Sequence, residues 1–371
     1  MALPAAVPAG PALTDQQSAR ASRQLALPGF DELAQRRLAN ARVLVIGAGG
    51  LGSASVPYLA GSGVGTIGLV DDDLVELSNL HRQVAHSTAS IGTPKTASLA
   101  ERVRQLDPGI TVIEHQLRLD ASNALEIFSG YDLVIDGSDN FPTRYLANDA
   151  AQLSGIPLVW GAILGTHGQV SVAWHEHGPG YRDLFPVPPA PGTVANCAEG
   201  GVLPGLCGTV GTLLATEALK LITGLGEPLS GRVLSYDALA ARTREIPYGR
   251  DPQGTAVTQL ADYELFCNGG LPAPEPGELG GFLLDVRTGA EWAQGHVAGA
   301  RHWPLDQLEA ALDSGAELDL PSEVLVYCAR EPRSIRAASR LLAAGITARY
   351  LPGGITALAG THPELIEMEQ A

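Results

Sequence analysis

A glycine-rich turn constrains the fold of this chain more than any other feature of its sequence. Residues 42–47 form an apolar run of strand length, and the turn Gly47-Ala-Gly49-Gly50-Leu-Gly52 follows it and opens a helix. Backbone N–H groups in such a turn, together with the helix N-terminus, can hold a phosphate group. The turn therefore predicts a nucleotide-binding α/β fold. Taken with Asp71, which lies near the spacing of a ribose-binding acid, it favours an oxidoreductase that uses nicotinamide or flavin.

Strands and helices are predicted to alternate through the first two thirds of the chain. We expect helices at about 22–40, 50–61, 94–106, 143–155 and 211–223, and strands at 42–47, 66–70, 110–114, 132–136, 157–162, 169–174 and within 232–246. Strands that alternate with helices form a parallel sheet with crossover connections. A Pro- and Gly-rich loop is predicted over 178–205, and a loop of that length is usually functional or mobile.

A second α/β domain is predicted behind a linker, because a chain of 371 residues is too long for one ordinary core. The Pro/Gly-rich residues 269–277 are the plainest linker signal. Beyond them we expect strands at 282–286, 323–327 and 348–351 and a helix at 334–344. We divide the chain into a domain at 20–248 with a mostly parallel sheet, a linker at 249–280 and a smaller α/β domain at 281–371.

The charge of the chain excludes several classes of partner. Its formal net charge is -16, and no basic stripe is present to release counterions from nucleic acid or anionic lipid. No apolar run reaches the roughly 18 residues of a membrane span, and the first residues lack a signal-peptide pattern. The four scattered cysteines favour free thiols over disulfides. We expect a cytoplasmic protein without nucleic-acid or membrane partners.

Two cations and an acid change the interpretation of the glycine-rich turn. Of the 24 basic residues only Lys95 and Lys220 are lysine, so a lysine kept inside a candidate nucleotide region points to a need for a compact charge. Arg82, Lys95 and Asp139 supply what a triphosphate with Mg²⁺ requires when the α-phosphorus is attacked and pyrophosphate leaves. A hydride-transfer enzyme has no need of these cations. The set favours adenylyl transfer.

These residues lie in short motifs at 69–73, 78–83, 92–95, 136–140 and 143–144. Over residues 20–246 the chain resembles the ThiF/MoeB-type adenylyltransferases of molybdopterin and thiamin biosynthesis, which are relatives of the ubiquitin-activating enzymes. The resemblance implies a Rossmann-like adenylylating domain that uses ATP and Mg²⁺, with Asp71 on the ribose and Asp139 on the metal. It implies that the nucleotide site contains Gly47, Gly49, Gly50, Gly52, Asp71, Asp73, Ser78, Asn79, Leu80, His81, Arg82, Gln83, Lys95, Asp139 and Asn140.

The resemblance also implies a homodimer. Members of the family carry an Arg-Gln pair in the N-terminal helix that reaches into the site of the neighbouring subunit. In this sequence the pair is Arg23 and Gln24, so Arg23 is expected to act in the partner's site.

The chain departs from the family at the position of a structural zinc site. Relatives often bind Zn²⁺ through two Cys-x-x-Cys pairs, which here fall on 180–183 and near 254–257, and all four sulfurs are missing. We therefore expect no zinc. His175 and His177 alternate on one predicted strand around Glu176, and we interpret them as exposed edge residues.

Cys197 is the candidate reactive cysteine of the first domain. It lies in the long loop before a helix, an accessible and partly polar setting in which a thiolate can react. Its position matches the reactive cysteine of the family, which implies a thioester or acyl disulfide with the carrier's C-terminus. The alternative is that Cys197 is a small, buried hydrophobic residue without a chemical role. Cys207 and Cys267 are interpreted as packing or incidental thiols.

Cys328 is the stronger candidate. It ends a predicted strand, and a short loop containing Arg330, Glu331 and Arg333 follows and opens a helix, whose amides and dipole can stabilise a thiolate or persulfide. Over 282–358 the segment resembles a rhodanese domain. Two departures stand out: the loop glycine is Glu331, and the usual Trp after the Gly-Gly turn is Leu358. The carboxylate should disfavour an anion on sulfur, although Arg330 and Arg333 can offset it.

The resemblance implies ATP-dependent adenylylation of the C-terminal glycine of a ubiquitin-like sulfur carrier ending in Gly-Gly. A Cys328 persulfide, loaded by a donor such as a cysteine desulfurase, would then supply sulfur for a thiocarboxylate. Two alternatives stay open. One is a nicotinamide-dependent oxidoreductase, and the other is a scaffold that binds carriers and has an inactive second domain.

Overall fold

The computed structural model describes residues 3–189, 200–254, 257–267, 281–316, 318–330 and 332–367. The described residues fall into two units. The first holds those up to Val187 and from 200 to Tyr263, and the second holds residues 188–189 and those from Glu264 onward.

The first unit is built on one eight-stranded sheet. Its strands are β1 (Arg42–Ile46), β2 (Thr66–Val70), β3 (Thr111–His115), β4 (Leu133–Asp136), β5 (Leu158–Leu164), β6 (His167–Ala173), β7 (Arg232–Asp237) and β8 (Arg242–Pro247). The strand order is β3-β2-β1-β4-β5-β6-β7-β8. The first five are parallel, as the alternation of elements predicts, and β6 to β8 extend the sheet antiparallel.

The strand order reverses direction at β1, which lies between β2 and β4. Connections leave the carboxyl ends of β1 and β4 in opposite directions, so a crevice opens between them, and ligands of open α/β sheets bind at this point. The glycine-rich turn follows β1, and the acidic motif 136–140 begins in the last residue of β4.

Helices cover the sheet of the first unit. They are α1 (Asp15–Arg20), α2 (Glu32–Asn40), α3 (Gly50–Gly61), α4 (Lys95–Leu106), α5 (Ala124–Phe128), α6 (Phe141–Ser154), α7 (Tyr181–Leu184) and α8 (Pro204–Thr223), and α9 (Tyr263–Cys267) follows. The single helix predicted at 22–40 is wrong. The chain turns at Gly29, whose φ is +82°, and α2 begins after Asp31, whose carboxylate caps the N–H of Ala34 at 2.9 Å.

Helix α8 is long and apolar enough to span a membrane by length and composition alone. The apolar runs of the sequence did not predict such a helix. Its apolar residues Val210, Leu214 and Ala218 are buried in the core of the first unit. A Cβ on Gly211 would lie 2.6 Å from the Cβ of Ala54, so glycine lets α8 pack closely on α3. Burial in a core accounts for the apolar character of this helix.

The second unit is a smaller α/β fold. Its strands are β9 (Phe282–Asp285), β10 (His296–Val297), β11 (Arg301–His302), β12 (Glu323–Tyr327), β13 (Thr347–Tyr350) and β14 (Ile366–Glu367), and its helices include α10 (Gly289–Ala293), α11 (Leu305–Asp313), α12 (Pro332–Ala343) and α13 (Gly354–Thr361). A parallel sheet has the order β11-β9-β12-β13, and β10 pairs with β14. Val324, Val326 and Leu341 lie in its core.

Candidate functional site

The turn after β1 leaves backbone donors free. Gly47 has a φ of +86°, in the left-handed region that favours glycine. A Cβ on Gly52 would overlap the carbonyl oxygen of Gly47, and a Cβ on Gly50 would lie 2.9 Å from Cys207 Sγ. Helix α3 starts after Gly49 with no side-chain cap. Its first N–H groups therefore remain available to an anion.

A cavity of about 420 Å³ opens at this turn. Of the sequence-predicted nucleotide residues, those that line it are Gly47, Gly49, Gly50, Asp71, Asp73, Asn79, Arg82, Gln83, Lys95, Asp139 and Asn140. Four others, Gly52, Ser78, Leu80 and His81, are not among the lining residues. Arg23 is exposed in a short helical turn and does not line the cavity either.

Acidic and basic groups of the cavity are fixed by one another and by the backbone. Lys95 is only 7% exposed and donates to Asp73 Oδ2 at 2.6 Å. Asp71 accepts from the N–H groups of Ala48 at 2.7 Å and Asp73 at 2.9 Å. Burial raises the pKa of Asp71, and the charge of Lys95 opposes this effect. Arg82 donates to the carbonyl of Ser78 at 3.2 Å.

Three cavity-lining residues carry buried polar atoms without a hydrogen-bond partner among the described residues. They are Oε1 of Gln83, Oγ of Ser138 and Nε of Arg144. Buried polar atoms nearly always have partners in native proteins. Unsatisfied donors and acceptors beside uncapped helix amides therefore fit a polar, phosphate-bearing ligand such as a nucleotide.

Side chains with oxygen atoms that can bind a cation follow β4 at one edge of the cavity. Asp136 is buried and accepts from the N–H of Ser138 at 2.9 Å, while Asn140 caps α6 by accepting from the N–H of Thr143 at 2.9 Å. Asp139 lies between them, exposed and lining the cavity. Its carboxylate is the kind of hard oxygen ligand that Mg²⁺ prefers.

A second set of carboxylates was not predicted as a metal site. Oxygens of Asp71, Asp72 and Asp73 lie within 4.8 Å of one another and can hold a cation. Lys95 already neutralises Asp73. The backbone N–H groups of Ala48 and Asp73 already bond Asp71, so this cluster has fewer uncommitted oxygens than its three carboxylates suggest.

Several cavity residues were absent from the predicted set. Ser138, Thr143 and Arg144 follow β4, and the segment 117–119 follows β3. The first three belong to motifs that the sequence shows, whereas nothing in the sequence marks 117–119. The structure also places His86, a buried histidine, against the carbonyl of Ala48 in the glycine-rich turn.

In the second unit, Cys328 follows β12 and is 1% exposed. Its Sγ lies 3.6 Å from Ser334 Oγ on α12, which starts just after the cysteine loop. The N–H of Ile355 donates to the carbonyl of Cys328 at 2.9 Å. A Cβ on Gly354, whose φ is +57°, would lie 2.5 Å from that same carbonyl oxygen. The Gly-Gly turn therefore packs directly on the cysteine loop.

One cation near the cysteine loop pairs with a carboxylate of the same unit. Arg333 makes two hydrogen bonds of 2.7 and 2.6 Å to Glu291, which balances part of its charge. These bonds lower the pKa of Glu291 to about 2. Arg330 is exposed, and Glu331 lies outside the described residues. Leu358 is buried beside Tyr327 and Ile355.

The remaining cysteines divide between buried thiols and a position that is not described. Cys207, Cys267 and Cys328 are buried, and none of them forms a disulfide within the described part of the chain. Cys197 lies outside the described residues, so the structure does not place it relative to the cavity.

Hydrogen bonds connect the segments that the sequence analysis compared with a zinc site. Asp183 accepts from the N–H groups of Gly180 at 2.6 Å and Asp251 at 2.8 Å. Asp149, only 1% exposed, accepts two bonds from Arg182 and one from the hydroxyl of Tyr263. Tyr263 lies within the predicted linker, which therefore contains a helix. The expectation that His175 and His177 lie on a strand is wrong, since β6 ends at Ala173 and they follow in a turn.

Comparison with known proteins adds the following. Residues 21–256 match the model of the ThiF family, and residues 274–361 match that of the rhodanese-like domain. A protein of Mycobacterium tuberculosis named probable adenylyltransferase/sulfurtransferase MoeZ is 45% identical over 384 residues, covering 96% of this chain and 96% of the relative. A sulfur carrier protein adenylyltransferase of Thermus thermophilus is 49% identical over 265 residues, covering 68% of this chain and 98% of the relative.

Solved structures share the fold. A crystal structure of Escherichia coli MccB superposes with a TM-score of 0.59, covering 65% of this chain and 74% of that one. The sequences are 21% identical, so this likeness concerns the fold alone.

Proposed function

Because the chain belongs to the ThiF family and carries a rhodanese-like domain, we propose that it is an ATP-dependent adenylyltransferase and sulfurtransferase of a sulfur-carrier protein. The observation that carries this proposal is the cavity in which Arg82, Lys95 and Asp139 converge on the uncapped N-terminus of α3. Its substrate would be the C-terminal glycine carboxylate of a ubiquitin-like carrier that ends in Gly-Gly.

In the first step an oxygen of the carrier's carboxylate attacks the α-phosphorus of ATP. A new P–O bond forms, the bond between the α-phosphorus and its bridging oxygen breaks, and pyrophosphate leaves with the electron pair. The amides of 49–51 and the side chains of Arg82 and Lys95 would hold the phosphates and balance the charge that develops on the leaving group. Asp71 would accept hydrogen bonds from the ribose hydroxyls.

Mg²⁺ fits the oxygen donors of the cavity, with Asp139 as its protein ligand. When bound, it would neutralise phosphate charge. Lys95 and Arg82 reach the cavity from different elements, so the protein supplies fixed positive charge on two sides. Asp73 holds the ammonium of Lys95 in place before a nucleotide arrives.

In the second step the outer sulfur of a Cys328 persulfide attacks the acyl carbon and displaces AMP, which leaves an acyl disulfide. A second thiolate, which we assign to Cys197 from its sequence position, then attacks Cys328 Sγ and releases the carrier thiocarboxylate. The disulfide formed in this way returns to two thiols by exchange with a dithiol reductant. A persulfide donor such as a cysteine desulfurase reloads Cys328.

We further propose that the enzyme is a cytoplasmic homodimer in which Arg23 acts in the partner's site. Arg23 is exposed and lies away from the cavity of its own chain. Leu77 and Val84, on either side of Arg82 in sequence, are each 72% exposed, which suits burial against a second copy. A reducing compartment would keep the buried thiols of Cys207, Cys267 and Cys328 reduced.

Carrier-dependent exchange of labelled pyrophosphate into ATP tests the first step. We expect exchange in the wild type and none in Asp139→Ala, whose exposed side chain should leave folding intact. Exchange in the variant at the wild-type rate would refute the metal assignment. Absence of exchange in the wild type with every carrier tested, together with carrier binding, would instead favour the scaffold alternative.

Mixing variants tests the shared site. Arg23→Ala alone should lose exchange, yet a mixture with Asp139→Ala should regain part of it, because a heterodimer contains one site with both residues intact. No recovery after verified subunit exchange would contradict the role of Arg23 in the partner's site.

A further inference from the structure

One buried histidine beside the nucleotide cavity has no part in the mechanism above. His86 is 7% exposed, lies in the loop between β2 and α4, and is not among the residues that line the cavity. Its Nε2 lies 2.9 Å from the carbonyl oxygen of Ala48, and its Nδ1 lies 2.9 Å from Ser98 Oγ.

These two contacts fix the tautomer of the ring. A carbonyl oxygen can only accept, so Nε2 carries the hydrogen and donates it to Ala48. In a neutral imidazole Nδ1 then accepts, and the hydroxyl of Ser98 is its donor. Burial lowers the pKa of His86, and the positive charge of Lys95 lowers it further, so the neutral ring is favoured.

The bond to Ala48 determines where the next amide points. In a trans peptide the C=O and the following N–H point in opposite directions, so the N–H of Gly49 is directed away from His86. Gly49 lines the cavity, and its N–H donates no hydrogen bond within the described part of the chain. The peptide on the other side of Ala48 is also fixed, because its N–H donates to Asp71 at 2.7 Å.

Ser98 connects this arrangement to the main cation of the site. It lies one turn after Lys95 on α4, and Lys95 is the first residue of that helix. His86 therefore links the glycine-rich turn to the element that carries the lysine. The side chain of His86 thus connects the peptide that carries the N–H of Gly49 with the helix that carries the ammonium group of Lys95, and both residues line the same cavity.

We propose that His86 is a positioning residue that directs the N–H of Gly49 at the phosphate chain of the nucleotide. This inference rests on the proposed function, since it concerns how the same cavity binds ATP. It assigns His86 no contact with the substrate and no proton transfer.

Substitutions that keep or lose the Nε2 donor test the proposal. The amide nitrogen of glutamine reaches about as far from the backbone as Nε2, whereas that of asparagine reaches only as far as Nδ1. We expect His86→Asn and His86→Ala to weaken ATP binding about tenfold, the size of one hydrogen bond to a charged group. His86→Gln should stay near the wild type, and Ser98→Ala should show a smaller loss.

Adenosine separates positioning from general destabilisation. It has no phosphate, so its affinity, measured by saturation-transfer NMR, should be unchanged in His86→Asn, while calorimetry shows the loss for ATP. His115→Asn is the matched control, because His115 is also partly buried and its ring bonds the Tyr131 hydroxyl, at 2.8 Å, rather than the glycine-rich turn. It should bind ATP like the wild type.

ATP binding by His86→Asn as tight as that of the wild type would overturn the inference, and so would an equal loss for ATP and adenosine. If the wild-type protein itself fails to bind ATP, the proposed function falls, and this inference falls with it.

Discussion

Gly354 is the position at which a single methyl group should disconnect the two proposed activities. It begins α13 with a φ of +57°, and a Cβ there would lie 2.5 Å from the carbonyl oxygen of Cys328 and 2.7 Å from the backbone nitrogen of Arg330. Both neighbours are backbone atoms of the cysteine loop. The clash in Gly354→Ala can therefore be relieved only by moving that loop or α13.

The magnitude follows from two effects. A left-handed conformation costs an L-residue roughly 1–2 kcal/mol, and overpacking typically costs about 1–3 kcal/mol. Their sum predicts a local destabilisation of about 2–5 kcal/mol. Since 1.4 kcal/mol is about a tenfold change in an equilibrium constant, protection of the β12 amides from hydrogen exchange should fall by roughly 30-fold or more.

Gly360→Ala is the matched control, because it adds the same methyl group on the same helix where nothing lies within 4 Å. Alanine there should stabilise α13 by about 0.5–1 kcal/mol. We expect Gly354→Ala to lose most sulfur transfer from a persulfide donor and to keep pyrophosphate exchange, and Gly360→Ala to keep both. Equal hydrogen-exchange protection and sulfur transfer in the two variants would refute the packing of the Gly-Gly turn on the Cys328 loop.

Three further predictions concern charge and metal. The bonds from Arg333, together with those from Thr288, depress the pKa of Glu291 from 4.5 to about 2, so their stabilisation is present above pH 4.5 and is lost as the pH falls through about 2. Denaturation of the wild type and Glu291→Gln should therefore differ at pH 7 and converge in acid; a constant difference would contradict this. The purified protein should contain no stoichiometric zinc and keep its Tm in chelator, and about one zinc per chain by elemental analysis would show this wrong. Glu331 follows Cys328 closely in sequence and should repel thiosulfate, so Glu331→Gly should raise thiosulfate-to-cyanide turnover several-fold, and unchanged turnover would remove the electrostatic argument.

Much of the lining of the cavity could be predicted because the residues that form it lie in short sequence motifs. The turn from Gly47 to Gly52 combines a strand, a helix N-terminus and glycines that admit no side chain, and the structure gives each of these features. Lys95 was identified because lysine is rare among the basic residues of this chain, and its side chain is buried at the cavity.

Contacts between distant residues could not be predicted in the same way. Glu291 pairs with Arg333 across 42 residues, and no local pattern joins them. His86 is a lone histidine in a loop, and only its contact with Ala48 gives it a role.

Local composition gave a wrong start for helix α8, where tertiary packing decides the backbone conformation. The Pro- and Gly-rich loop was predicted to end at Gly205 and the helix to start at Gly211, yet α8 begins at Pro204. Proline suits the first turn of a helix, and at Gly211 the glycine serves a close approach to α3. Tertiary packing overrode the weak intrinsic propensity of these residues.

In the function proposed above, one chain both activates the carrier and delivers its sulfur. Intact-mass measurement of the carrier after incubation with ATP, Mg²⁺, a persulfide donor and a dithiol reductant tests it most directly. We predict that the wild type replaces one carboxylate oxygen of the carrier by sulfur, and that Cys328→Ala gives no thiocarboxylate although its pyrophosphate exchange persists. Full thiocarboxylation by Cys328→Ala with the same donor would contradict the account, because the second domain would then not carry the sulfur.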